Sequence, residues 1–104
     1  MNKEAIKKIA DTYGYDAQSR QLIEEMAELM VAVNKYHRKI NTPLLSPSDY
    51  LELQRYIFNI TEEMADTIIM IEQIKHLLTI TDKNVDHIIE QKLNRQLERI
   101  EKNE

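Results

Sequence analysis

Strong backbone breakers are almost absent from this chain. Its 104 residues include one glycine, Gly14, and two prolines, Pro43 and Pro47. Glycine and proline punctuate turns and strand ends, so a chain this poor in them has few places to reverse direction. The strict apolar–polar alternation of half-buried strands is rare as well. What remains is long helices joined by a few connectors, an all-α fold.

The spacing predicts a first helix over residues 3–12, with Ala5, Ile6, Ile9 and Ala10 apolar and Gly14 as its stop. Asp16 is the expected N-cap of a second helix over 17–38, where Leu22, Met26, Leu29 and Val33 recur at helical spacing. Residues 40–46 form a connector. Ser46, Pro47 and Asp49 then open a third helix, expected to reach about Phe58. Asn59 or Thr61 caps a fourth over 60–78, unless the two merge. A fifth starts after Thr81 or Asp82 and buries Val85, Ile88, Ile89, Leu93, Leu97 and Ile100, with residues 101–104 fraying. Met26, Met30, Met64 and Met70 are expected as core filler. The expectation is a single domain over 1–104, an all-α bundle of about five helices. Such a bundle is thin for its broad apolar arcs, so homo-oligomerisation is expected to complete a four-helix-type core.

Several function classes drop out on composition. With no cysteine there is neither a disulfide scaffold nor a thiolate metal site. No charged-then-apolar leader and no long apolar run is visible, which predicts a soluble, cytoplasmic protein without a membrane partner. A net charge of -4 gives no electrostatic reason to expect a nucleic-acid polymer as partner.

The informative motif is a repeated string, EEMAE at 24–28 and EEMAD at 62–66. At about 100° per residue, Glu25 lies within about 60° of Leu22, Leu29 and Ala32, and Glu63 is flanked in the same way by Met70 and Ile74. Glu28 and Asp66 each lie about 60° further round, at matching positions. Burying unpaired carboxylates is costly, and the available escapes are a partner charge, a proton or a metal. Few lysines or arginines share these faces. A hard divalent cation held by Glu25, Glu28, Glu63 and Asp66 resolves the conflict, and all-oxygen ligation favours Mg²⁺, Mn²⁺ or Ca²⁺. A di-iron bundle requires Glu-x-x-His pairs, and none of His37, His76 or His87 stands three residues after a glutamate. Glu72 and His76 have the spacing of a surface pair.

These acids, together with YGYDAQSRQLIEEMAELMVAVNKYHR, EEMADTIIMIEQI and EQKLNRQLERI, make the chain resemble the MazG-like all-α nucleoside triphosphate pyrophosphohydrolases, a family related to the dimeric dUTPases. The resemblance spans roughly residues 13 to 100. It implies a helical bundle completed as a homodimer or a dimer of dimers, with Mg²⁺ as cofactor (Mn²⁺ a possible substitute). It implies hydrolysis of a nucleoside triphosphate to the monophosphate and pyrophosphate, in the service of nucleotide-pool housecleaning. By position, Glu25, Glu28, Glu63 and Asp66 become the metal ligands. Glu24 becomes a water-orienting base or an acid behind the ligands, and Gln18, Lys92 and Arg99 become substrate contacts. The pattern departs at Gln96, where relatives often have asparagine, and in the longer connector between Glu28 and Glu63.

The residues fit that chemistry. Phosphoryl transfer asks for positioning and charge neutralisation, and a carboxylate such as Glu24 or Glu28 beside the attacking water can take its proton. Lys92, Arg95 and Arg99 share one helix face as a phosphate clamp, or else complement the helix dipole in water. Gln21 and Asn34 are further candidates for a base or phosphate contact, Tyr36 and Tyr56 for stacking, and Lys35 and Arg38 for phosphate. The alternative function is a non-catalytic helical interaction module or a nucleotide-binding regulatory module.

Overall fold

The computed structural model describes residues 1–103 and has three helices: α1 (Lys3–Ile40), α2 (Pro47–Leu77) and α3 (Asp82–Lys102). Among the described residues there is no strand. The fold is all-α, with three helices where five were expected.

The first expected break is real. Gly14 adopts φ 82°, ψ 172°, a conformation that an L side chain rarely takes, and α1 kinks there. Helical geometry resumes immediately, so Asp16 lies in the first turn after the kink instead of capping it, and pairs with Arg20 at 3.3 Å. Between the third and fourth expected helices the merged alternative holds, with no break. Thr61 donates its hydroxyl to the Ile57 carbonyl at 2.8 Å, one turn back. Its side chain is thereby satisfied inside a helix, and α2 runs unbroken through Asn59 and Thr61.

Local chemistry sets the other ends. Asn2 caps α1 by accepting from the Ala5 N–H at 3.0 Å. Ahead of α2, the Asp49 carboxylate accepts from the N–H groups of Leu45 and Ser46 at 2.9 and 3.0 Å, and Pro47 occupies the first turn, where its missing donor costs nothing. Thr79 takes φ 57° as the chain leaves α2, and Thr81 caps α3 by accepting from the Asn84 N–H at 3.1 Å.

α1 and α2 form an antiparallel hairpin. Gln18 meets Gln73 at one end, and Lys39 meets Asp49 and Glu52 at the other. The seam is unusually polar: Gln18, Thr67 and Gln73 are buried beside Ile6, Ala10, Ala32 and Met70. Of the methionines expected as filler, only Met70 is buried, while Met26, Met30 and Met64 are about half exposed or more.

α3 packs on neither α1 nor α2. Its apolar residues Ile88, Ile89, Leu93, Leu97 and Ile100, expected to be buried, are all exposed, and Val85 is only partly covered. The chain is therefore extended, with a radius of gyration of 18.0 Å. A compact domain of this length has about 13 Å. Ion pairs hold the root of α3: Asp82 contacts Lys3 at 3.4 Å and also meets Lys75, which reaches Glu72 at 3.0 Å. Nearby, His76 pairs with Asp11 at 2.8 Å and not with Glu72. Glu101 and Lys102, expected to fray, are helical; Glu104 lies outside the described residues.

Candidate metal and ligand site

The two acid strings face each other across the α1–α2 seam. Glu25 and Glu28 from α1 and Glu63 from α2 bring one carboxylate oxygen each to within 4.8 Å of one another. Helical periodicity puts Glu25 and Glu28 on one side, and the antiparallel register brings Glu63 opposite. Asp66, expected as a fourth member, is exposed and stands outside this group of three, though close enough to repel Glu63.

The electrostatics are those of a site short of positive charge. Glu25 Oε1 accepts from Gln21 Nε2 at 2.9 Å, while Glu25 Oε2 is buried without a partner. Glu63 Oε2 and the Thr67 hydroxyl are orphaned in the same way. The Glu63 carboxyl is pushed up to about 7 from an ordinary 4.5. Desolvation is the largest cause, followed by repulsion from and a hydrogen bond with Glu28, then repulsion from Glu25 and Asp66. Buried oxygens without donors, in a group of carboxylates at ligand spacing, fit a hard divalent cation.

A cavity of about 400 Å³ opens beside the cluster. Glu24, Glu28 and Glu63 line one part of it. Lys35 and Tyr56, singled out in the sequence, line it as well. Asn59, weighed only as a helix cap, is a cavity residue that sequence reading missed, although its place one turn before Glu63 on α2 was a usable signal.

Other candidates lie elsewhere. Gln18 is buried, and its amide donates to Gln73 at 2.7 Å, so in this chain it holds the two helices together. Lys92, Arg95 and Arg99 sit exposed on α3, which does not pack on the hairpin; within one chain they are not gathered around the carboxylates.

No family model matches this chain, and no similar curated protein or solved structure was found. Among the described residues, no helix is long and apolar enough to cross a membrane.

Proposed function

We propose that the protein is a Mg²⁺-dependent nucleoside triphosphate pyrophosphohydrolase of the MazG-like kind, releasing a monophosphate and pyrophosphate in cytoplasmic nucleotide housecleaning. The observation that carries this reading is the meeting of Glu25, Glu28 and Glu63, with orphaned buried oxygens, at the edge of a ligand-sized cavity. Those three side chains would hold the cation, and Asp66, outside the group, adds negative charge that Glu63 feels. A bound divalent cation supplies charge neutralisation for the triphosphate and acidifies a coordinated water.

The chain's own residues do the rest. Glu24 lines the cavity without belonging to the three-carboxylate group, and so is the free base for the water that attacks the α phosphorus. Lys35 is the cation of this chain that lines the same cavity. The exposed apolar face of α3 supports a homodimer or a dimer of dimers, because burying it against a second copy removes large side chains from water. Such an assembly gives Lys92, Arg95 and Arg99 a route to a neighbour's triphosphate.

The test is to incubate the protein with each common ribo- and deoxyribonucleoside triphosphate, with and without Mg²⁺, and resolve the products. Monophosphate plus pyrophosphate, formed only with metal, is expected. Glu63→Gln should abolish turnover while the far-UV circular dichroism stays helical; full activity in that variant refutes the assignment. The unpacked α3 favours a second reading, a helical interaction or regulatory nucleotide-binding module. Metal-dependent nucleotide binding without turnover would select the regulatory form, and neither binding nor turnover would select the interaction form.

A further inference from the structure

We infer that Asn59, with Tyr56 beside it, reads the planar head group of the ligand and so sets its base preference. This rests on the reading of the carboxylates as a metal–polyphosphate site, and it assigns a role to further residues of the same cavity.

The lining of the cavity is chemically mixed: the acids Glu24, Glu28 and Glu63 share it with Lys35, Tyr56, Asn59 and the small residues Ala27, Val31 and Ala32. On α2, Tyr56 and Asn59 come one to two turns before Glu63. Alanine and valine in the lining leave room for a flat ring and offer it only dispersion contacts. The Tyr56 hydroxyl donates to Glu52 at 2.7 Å, and Glu52 is held by Lys39 at 3.1 Å. Because its hydroxyl is engaged there, Tyr56 has its ring, and not its polar end, to offer the cavity.

Among the described residues, Asn59 is the only carboxamide lining this cavity. Of the other amides considered, Gln18 is bonded to Gln73 and Gln21 to Glu25, and Asn34 does not line the cavity. A carboxamide has one donor side and one acceptor side, which matches the paired donor and acceptor on the edge of a nucleobase. Asn59 precedes Glu63 by one turn, a rise of about 6 Å along α2. A head group at Asn59 is thus set apart from phosphates at the carboxylates by about the reach of one sugar.

The experiment compares ligands with and without the ring. The probes are inorganic tripolyphosphate and non-hydrolysable α,β-imido nucleoside triphosphates carrying uracil, cytosine, adenine or guanine, titrated calorimetrically in Mg²⁺. Asn59→Ala should weaken the best imido-nucleotide about tenfold, the cost of leaving a base edge unpaired, and change tripolyphosphate by less than about twofold. Asn59→Asp, which only accepts, should shift preference toward bases with an exocyclic amine. Equal effects on nucleotide and tripolyphosphate, or none on either, overturn the assignment, provided thermal melts show both variants folded. Wild-type protein that binds neither Mn²⁺, followed by electron paramagnetic resonance, nor tripolyphosphate overturns the parent reading. Wild-type protein that binds both, with Asn59 variants unchanged, overturns this inference alone.

Discussion

The Gln18 amide donates to the Gln73 carboxamide oxygen at 2.7 Å inside the α1–α2 seam, and Gln73 in turn meets the Met70 sulfur at 3.6 Å. Gln73 is almost completely buried, so its oxygen has no water to replace Gln18. Removing one partner therefore costs more than removing both. Gln18→Ala should destabilise the protein by about 1–3 kcal/mol, and the Gln18→Leu/Gln73→Leu double variant by less than the sum of its parts. Urea unfolding of the two single variants and the double variant checks this.

The carboxylate cluster gives a pH signature. Glu63 is raised in the folded chain to about 7, against 4.5 ordinarily, so folding takes up a proton between those values. The folded state binds more protons there, and stability of the metal-free protein should rise as pH falls from about 7 toward 4.5. Glu63→Gln should flatten that rise and raise the melting temperature at pH 8, where the native Glu63 is largely ionised. Melting curves across pH in a chelator decide it.

Mg²⁺ competes with that proton. Adding it should raise the melting temperature, and by more at pH 8 than at pH 6, where Glu63 is largely protonated. A shift of equal size at both pH values, or one retained in Glu25→Gln/Glu63→Gln, would place the metal elsewhere.

Asp82 ties the root of α3 to the hairpin. Lys75 and then Lys3 hold its carboxyl below the ordinary 3.8, so the tie is present above that pH and is lost as pH falls through the folded value. Asp82 is largely exposed, and salt should screen the tie as well. Spin labels on α2 and α3 should show a broader distance distribution in Asp82→Asn at neutral pH, and the same broadening in the wild type at high ionic strength.

The apolar face of α3 should be what joins copies of the chain. Leu93→Glu/Leu97→Glu should shift the mass seen by light scattering from an oligomer to a single chain, while far-UV circular dichroism changes little. The same variant should lose turnover if Lys92, Arg95 and Arg99 act on a neighbour's substrate.

Several features were legible in the residues because they depend on local chemistry. Gly14 breaks α1, Pro47 opens α2, and Thr81 caps α3 where composition and capping preference put them. Helical angles put Glu25, Glu28, Glu63 and Asp66 in or beside the apolar stripe, and the structure brings the first three together. The merging of the two expected central helices was harder to read, because threonine favours caps, and only packing shows where it bonds back inside a helix, as Thr61 does.

By itself the sequence determined an all-α chain, its main helix ends and a pair of acid strings, since periodicity sets where a side chain sits around its own helix axis. Only the tertiary structure decided which neighbour each side chain meets. The hairpin register gave Gln18 to Gln73, left Asp66 outside the three-carboxylate group, and put Asn59, Tyr56 and Glu24 around one cavity. It also left α3 unpacked, so that a face with the pattern of a core became a surface. A hydrophobic stripe encodes that a helix will be covered, but the pattern is the same whether the cover comes from its own chain or from another.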